Sequence, residues 1–150
     1  MITITRTNSD NPDFIALVQL LDADLAARDG EEHSFYAQFN KIDKIRHVVV
    51  AYDNAEAVGC GAIKAFSADA MEVKRMYVLP AHRKKGIAAM ILSELETWTA
   101  ELFYSKCILE TGRRQPEAIA LYTKQGYKHT ANYGQYAGVE NSVCFEKILF

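Results

Sequence analysis

Three consecutive cations stand at the start of a helix-like segment, where a protein can readily build an anion-binding site. Arg83, Lys84 and Lys85 precede Gly86 in the stretch RMYVLPAHRKKGIAAMIL. A helix N-terminus presents backbone N–H groups without intrahelical partners, and the helix dipole adds positive potential there. Without a ligand the like charges would repel one another and oppose the dipole. The cationic run therefore favours a bound phosphate group, and the alternative is a solvated basic patch.

The residues after the run support close approach of a ligand. Gly86 has no Cβ, so a ligand can reach the backbone, and Ala88 keeps the second turn of the helix thin. The segment is not a P-loop, because no Gly-Lys-Ser/Thr ending is present, and it lacks the GxGxxG pattern of a dinucleotide-binding turn. The pattern RxxGxA is weak alone, but here it follows a strand-like run and opens an amphipathic helix.

The elements that would position this motif can be predicted from residue periodicity. Met71 to Val78 predicts a strand, and Pro80 ends it. Cys107 to Glu110 predicts a short buried strand. Because a long helix separates these two strands, we expect them to be parallel and joined by a right-handed crossover. That helix is expected to end near Tyr104, and its apolar face carries Ile87, Ile91, Leu95, Trp98 and Leu102.

The N-terminal half predicts two helices and a hairpin. Thr3 to Thr5 predicts a short strand, Asn11-Pro12 begins a helix that Gly30 ends, and Glu31 to Asn40 predicts a second helix. The first helix carries an apolar stripe of Phe14, Leu17, Val18, Leu21 and Leu25. Strands are then expected at 48–52 and 58–63, where the two glycines of VGCGAI predict a bulge or a close backbone approach.

The C-terminal part predicts one helix and two strands. A helix begins at Pro116 and stops at Gly126, and strands are expected near 127–131 and 143–148. The predicted order is β-α-α-β-β-β-α-β-α-β-β in one domain spanning residues 1–150. It describes an α/β (α+β) fold, a mixed sheet of about seven strands with about four helices on its faces.

Composition excludes several classes of protein. The 150 residues carry a net charge of −2, which argues against a general nucleic-acid binder. No apolar run is long enough for a membrane span, and MITITRTNSD lacks the apolar core of a signal peptide. Cys60, Cys107 and Cys144 lie far apart, as expected for buried thiols in a reducing cytoplasm. The histidines show no metal-ligand spacing, so we expect no metal site.

Two motifs resemble those of the GNAT superfamily of N-acetyltransferases. RxxGxA after EVKRMYV is similar to the family's pyrophosphate-binding pattern, Gln/Arg-x-x-Gly-x-Gly/Ala. ETGRRQPEAIALYTKQGY, residues 110–127, resembles the family's second acetyl-CoA segment. Gln115 stands where many family members carry Asn, and it can still offer an amide. The resemblance covers residues 48–128 closely, whereas the first ~45 residues match only in pattern, as expected where substrates are selected.

The resemblance implies acetyl-CoA as co-substrate and a mostly antiparallel sheet whose central parallel pair is splayed to receive it. The pantetheine arm would fill the gap between these strands as a missing strand does. The implied contacts with acetyl-CoA are the backbones of Met76, Tyr77 and Val78, the segment Arg83, Lys84, Lys85, Gly86, Ile87 and Ala88, and then Gln115, Ala118 and Tyr122.

The resemblance also implies direct acetyl transfer to an amine through a tetrahedral intermediate. Tyr122 matches the family's thiol-protonating tyrosine, although a core tyrosine is the alternative. Met76 N–H would donate to the oxyanion. Glu72 is the favoured base and Glu110 its rival, but many members use a water chain. Without those roles, Glu72 would pair with Lys74 or with a neighbouring strand, and Glu110 would cap the following turn.

The acceptor is expected to be a primary amine of a small molecule, with a small amine, an amino acid or an antibiotic left open. In this family the walls that face the acetyl group correspond to residues 29–40 and 132–141, where Glu31, Glu32, Tyr133 and Tyr136 are the candidate contacts. Two alternatives remain open, an acetyltransferase acting on a protein N-terminus or lysine and a non-catalytic acyl-CoA sensor. The resemblance also allows a homodimer, because such domains often pair through sheet edges or C-terminal strands.

Overall fold

The β-branched and alternating segments form seven strands of one sheet in the computed structural model, which describes residues 1–29 and 44–150. The strands are β1 (Ile2–Thr7), β2 (His47–Asp53), β3 (Glu56–Ala65), β4 (Ala70–Val78), β5 (Lys106–Gly112), β6 (Lys128–Thr130) and β7 (Ser142–Ile148). Their spatial order is β1-β2-β3-β4-β5-β7-β6. Every neighbouring pair is antiparallel except β4 and β5, which are parallel. The predicted mixed sheet and its parallel pair are confirmed.

Three α-helices lie in the described part of the chain. They are α1 (Pro12–Asp29), α2 (Ile87–Glu101) and α3 (Pro116–Lys124), with 3-10 turns at Pro80–His82 and Gly134–Tyr136. Helix α1 begins as predicted, because Asn11 Oδ1 accepts the N–H groups of Asp13 and Phe14 at 2.8 and 3.2 Å. The helix predicted at 31–40 lies outside the described residues.

The apolar faces of the helices cover the two sides of the sheet. Helix α1 buries Phe14, Leu17, Val18 and Leu21 against one side, together with Val48, Val50, Cys60, Ala62 and Tyr77. Helix α2 buries Ile87, Ile91, Leu92 and Leu95 against the other, in a cluster that includes Met71, Val73 and Tyr122. We refer to these two sides as the α1 face and the α2 face.

The glycines of β3 permit close packing of α2 on the sheet. A Cβ at Gly61 would lie 2.6 Å from Met76 Sδ and 2.9 Å from both Ile91 Cγ2 and Leu95 Cδ1. A Cβ at Gly59 would lie 3.0 Å from Ile91 Cδ1. The expected close approach is therefore present. The register also shifts between Cys60 and Ala62, and the extra residue of this bulge belongs to β4.

Some element ends differ from the predictions. Helix α2 ends at Glu101 rather than near Tyr104, because Phe103 takes a left-handed conformation with φ 67°. Such a position usually carries glycine, so the residue type gave no stop signal. Strand β6 is shorter than 127–131 at both ends. Cys60, Cys107 and Cys144 are buried and free. Across residues 1–29 and 44–150, no helix combines the length and apolar character needed to cross a bilayer.

Candidate active site

The parallel strands β4 and β5 separate partway along their length. They pair only at Ala70↔Lys106, Met71↔Cys107 and Glu72↔Ile108, after which β4 continues to Val78 paired with β3 alone. A cleft of about 120 Å³ occupies the opening. Its lining residues come from four parts of the chain and are Leu21, Leu25, Glu72, Val73, Lys74, Arg75, Met76, Glu110, Thr111, Gly112, Gln115, Ala118, Tyr122 and Tyr136.

The bulge in β4 changes which side chains reach this opening. Arg75, at the bulge, has φ 60°, a conformation that residues other than glycine rarely adopt. Met71 and Val73 belong to the α2-face cluster, so strand alternation directs Glu72 and Lys74 to the α1 face. Arg75 also reaches that face, since its Nη1 lies 3.7 Å from Oδ1 of Asp22 in α1. The bulge thus brings two consecutive cations to the same side.

Glu72 is held by donors on both of its carboxylate oxygens. The Tyr133 hydroxyl donates to Oε2 at 2.6 Å, and Lys74 Nζ lies 3.4 Å from Oε1. Burial, followed by the Glu72 charge, raises the pKa of Tyr133 well above its ordinary value. The phenol therefore stays protonated at neutral pH and donates to the carboxylate. The expected pairing of Glu72 with Lys74 is present, and Tyr133 fixes the carboxylate further.

Tyr122 contributes a protonated phenol on the α2 side of the cleft. Its side chain is buried, and its ring packs edge-on to Tyr127 with 5.8 Å between centroids. Burial, followed by the Glu110 carboxylate, raises the pKa of the Tyr122 hydroxyl above its ordinary value. Burial and the same carboxylate raise the pKa of Tyr136 as well. Both phenols are therefore neutral at physiological pH and are able to donate a proton or a hydrogen bond.

The cationic segment lies at the N-terminus of α2, beyond the end of β4. Lys84, Lys85 and Gly86 are exposed. Gly86 has φ 80°, and among the described residues no atom other than those of its chain neighbours lies within 4 Å of the position that a Cβ would take. Within the described residues, the hydrogen bonds at this end begin with Met90 N–H donating to the Gly86 carbonyl. The N–H groups of the first turn therefore face an open, positively charged surface.

Arg83 and Ile87 have more specific positions than the sequence suggested. Arg83 Nε donates to the Val78 carbonyl at 2.9 Å, and its guanidinium lies over the Tyr77 ring at 5.5 Å. The side chain thus ties the cationic segment to the end of β4. Ile87 is 1% exposed and belongs to the core, so only its backbone faces the helix end. Ala88 is partly buried against the same core.

The beginning of α3 forms the remaining wall and is tied to α1. Gln115 precedes the helix, and its carbonyl accepts the N–H groups of Ala118 and Ile119. Arg28, in the last turn of α1, contacts the Glu117 carboxylate of α3. Arg114 Nη1 also lies 3.4 Å from the Arg28 carbonyl. The C-terminal end of α1 is therefore held beside the opening between β4 and β5.

The structure gathers many of the predicted residues in one place. The cleft lining includes Glu72, Met76, Glu110, Gln115, Ala118, Tyr122 and Tyr136. Tyr133 lies next to it through Glu72. The segment 83–88 lies outside the lining, at the helix end, and the Tyr77 side chain packs in the α1-face core. Glu31 and Glu32 lie outside the described residues.

Sequence reasoning did not assign seven residues of the lining to the site: Leu21, Leu25, Val73, Lys74, Arg75, Thr111 and Gly112. Leu21 and Leu25 were assigned only to the core stripe of α1, yet both border the cleft. Lys74 was considered only as a partner of Glu72, and Arg75 only as part of a strand. Two adjacent cations in an otherwise buried strand were the available signal, because a buried arginine is uncommon and needs a partner.

The described ranges 1–29 and 44–150 contain no group of three or more His, Cys, Asp or Glu side chains that could hold a metal ion. The cleft itself offers carboxylates, phenols and backbone N–H groups. Together with the open helix end, the arrangement can bind an anionic ligand at one end and transfer protons at the other.

Comparisons with known proteins agree with this geometry. The sequence profile of the acetyltransferase (GNAT) domain family matches residues 44–129. An IAA acetyltransferase from Azospirillum brasilense is 32% identical over 151 residues, which span 99% of this chain and 98% of the relative.

Solved structures share the whole fold. A Klebsiella pneumoniae protein assigned as an acyl-CoA N-acyltransferase has a TM-score of 0.83 and 33% identity, with 100% of this chain and 99% of that chain covered. The PaiA N-acetyltransferase of Thermoplasma acidophilum, solved in complex with coenzyme A, has a TM-score of 0.72 at 18% identity. The alignment with the latter covers 99% of both chains and shows likeness of fold.

Proposed function

Since the chain belongs to the GNAT acetyltransferase family, we propose that it transfers the acetyl group of acetyl-CoA directly to a primary amine of a small molecule. The observation that carries this proposal is the opening between β4 and β5, which leaves part of β4 without a neighbour on one side. An extended pantetheine arm could occupy that edge as an added strand. The exposed N-terminus of α2 lies at the end of the same strand and suits a diphosphate.

In this proposal the residues of the helix end bind rather than react. The N–H groups of 84–88 and the charges of Lys84 and Lys85 would hold the pyrophosphate. Gly86 supports pyrophosphate binding, because glycine adopts a φ of 80° without strain. The space where a Cβ would lie is open, so a ligand could reach the backbone. Arg83 would act partly through its bond to the Val78 carbonyl, which fixes the loop beside the strand end. Gln115 and Ala118 would border the pantetheine.

The reaction removes one proton from the amine nitrogen and adds one proton to the sulfur of coenzyme A. The amine nitrogen forms a bond to the thioester carbonyl carbon, and the resulting oxyanion accepts a hydrogen bond from the Met76 N–H. Collapse breaks the carbon–sulfur bond. The nitrogen loses a proton to a carboxylate, and the departing sulfur gains one from Tyr122. The products are the N-acetylated amine and free coenzyme A.

The proposed acid and the proposed base lie on opposite faces of the sheet, one on the side of the leaving sulfur and the other on the side of the amine. Tyr122 belongs to the α2-face cluster, whereas Glu72 lies on the α1 face with Tyr133. An amine arriving from the α1 face would meet Glu72, and the sulfur would leave toward Tyr122. Glu110 lines the same cleft and is the rival base. The bond from Tyr133 favours Glu72, since it orients that carboxylate.

Thiol release from acetyl-CoA is the decisive assay. The purified chain is incubated with acetyl-CoA and a panel of primary amines, and binding of coenzyme A is measured separately by calorimetry. We expect micromolar to millimolar binding and amine-dependent release of thiol. Release with peptides but with no small amine would favour a protein acceptor. Binding without release for any acceptor would favour an acyl-CoA sensor, and absence of binding would refute the proposal.

A further inference from the structure

The charged side chains of the cleft occur in equal numbers of each sign. Glu72 and Glu110 supply two carboxylates, and Lys74 and Arg75 supply two cations. Leu21 and Leu25 of α1 add an apolar patch to the same lining. Lys74 pairs with Glu72 and Arg75 with Asp22, so the wall of the cleft presents ion pairs rather than the negative charge alone that would select a simple ammonium ion. The balance of signs therefore points to an acceptor that itself carries both charges.

Arg75 is the least expected of these residues. Its side chain is 2% exposed, and its backbone holds a left-handed φ of 60°. Both features cost energy, because a guanidinium loses hydration on burial and a Cβ disfavours that backbone region. Such combinations persist where the surrounding structure holds them in place, and they concentrate at ligand sites. The residue lies where β4 opens, beside the acceptor side of the cleft.

Arg75 and Lys74 together match one kind of ligand group. A guanidinium presents paired N–H donors that fit both oxygens of a carboxylate, and an adjacent ammonium adds charge. The Asp22 carboxylate lies 3.7 Å from Arg75 Nη1, so the guanidinium already has an anionic partner on the α1 face, and an acceptor carboxylate would join or replace Asp22 there. Asp22 is 43% exposed, so this ion pair reaches solvent on the α1 face.

We propose that the acceptor is a zwitterion of the α-amino-acid type, with a primary amine and a carboxylate on one small molecule. Its carboxylate faces Arg75 and Lys74, its amine faces Glu72 and Glu110, and its apolar side group faces Leu21 and Leu25. This inference rests on the proposed acetyl transfer and narrows its substrate class. A protein N-terminus lacks the neighbouring carboxylate and is disfavoured by the same lining.

Matched acceptors test the proposal directly. Phenylalanine, phenylalaninamide and phenethylamine share the side group and the amine but differ in the carboxylate, and leucine with 3-methylbutylamine forms a second pair. The full set of α-amino acids extends the panel. We expect kcat/KM, measured by thiol release, to be at least about tenfold higher for the amino acid than for its partner lacking a carboxylate.

Variants assign the preference to Arg75. In Arg75→Gln the ratio of kcat/KM for phenylalanine to that for phenethylamine should fall toward one, chiefly through KM for phenylalanine. Arg75→Lys keeps the charge and should retain part of the ratio. Lys124→Gln removes an exposed cation at the far end of α3, outside the cleft lining, and should keep the full ratio. If Arg75→Gln does not fold, the wild-type acceptor panel and the Arg75→Lys variant still test whether the enzyme prefers a carboxylate-bearing acceptor through Arg75.

The outcomes separate this inference from the proposed function. Acetylation of phenethylamine as fast as phenylalanine, or of other amines but no amino acid, would overturn the zwitterion and leave the enzyme standing. A wild-type preference that Arg75→Gln leaves unchanged would also overturn the assignment. If the chain neither bound coenzyme A nor released thiol with any amine, the proposed function itself would fail.

Discussion

The two edges of strand β4 have opposite characters. Toward β3 the pairing runs from Ala65↔Met71 to Gly59↔Val78, and α2 packs closely over the glycines of β3. Toward β5 the pairing stops at Glu72↔Ile108, and carboxylates, cations and phenols line the opening. Under the proposed function, this one strand serves stability on its closed edge and chemistry on its open edge. Substitutions on each edge should therefore fail in different ways.

The largest effect is expected at the open edge, from Tyr122→Phe. Removal of the phenol leaves the departing sulfur without its proton donor, so kcat should fall about 100-fold. Affinity for coenzyme A and the melting temperature should change little. The assay is thiol release at saturating acetyl-CoA with an amine from the panel. A kcat within a factor of about two of wild type would remove Tyr122 as the acid.

Tyr127→Phe is the matched control for that substitution. Its ring packs against Tyr122, but its hydroxyl donates to Glu96 Oε2 of α2 at 3.0 Å, in a partly buried position. This variant should lose about 1 kcal/mol of unfolding free energy and keep its kcat.

The pH dependence follows from the raised pKa of Tyr122. The acid must be protonated to act, and burial shifts its loss of the proton to higher pH. We therefore expect kcat in the wild type to show no alkaline decline up to about pH 10, the ordinary tyrosine value. A decline centred near pH 8 would show that a different group supplies the proton.

A slightly smaller effect is expected at the closed edge, from Gly61→Val. The new side chain would overlap Ile91 and Leu95, so α2 must move away from the sheet. Unfolding free energy should fall by about 2 kcal/mol, measured by chemical denaturation. Gly112→Ala is the control on β5, because a Cβ there would have ordinary contacts of 3.5 Å or more. Equal losses in both variants would contradict the contrast between the edges.

Glu72→Gln should reduce turnover about tenfold, less than the loss of Tyr122, because Glu110 remains in the same cleft. Binding of coenzyme A should be retained, since Glu72 lies on the acceptor side. The pH–rate profile of this variant and of Glu110→Gln would identify the base. An unchanged profile in Glu72→Gln would exclude Glu72 from that role.

The smallest effect is expected from Lys85→Gln at the helix end. Exposed charges contribute little each, so affinity for coenzyme A should fall about threefold. The loss should diminish at high salt, where the remaining charges are screened. Lys124→Gln, an exposed cation at the far end of α3, should leave the affinity as it is. Equal losses for both lysines would mean that net charge rather than position is responsible.

Periodicity and motifs were sufficient to predict the sheet and the elements around the site. The apolar stripe of α2, the stop at Pro80 and the two motifs place Gly86, Glu110 and Tyr122 on the correct elements. These features are local in sequence, so a pattern of residue types can reveal them.

The arrangement of charges in the cleft could not be predicted in the same way. It depends on a bulge in β4 that directs Arg75 to the α1 face, and on a loop that brings Tyr133 to Glu72. A one-residue change of register reverses the side-chain directions of a strand, and the residue types do not reveal where the shift occurs. The left-handed Phe103 that ends α2 also had no signal, because such a position usually carries glycine.

Amide hydrogen exchange with and without coenzyme A tests the central claim most directly. The account predicts slower exchange for residues 76–78 of β4 and for the first turn of α2, with no change in the middle of β3. Protection that appears elsewhere on the chain, or coenzyme A binding that leaves both segments unchanged, would contradict the assignment of the open edge as the binding site.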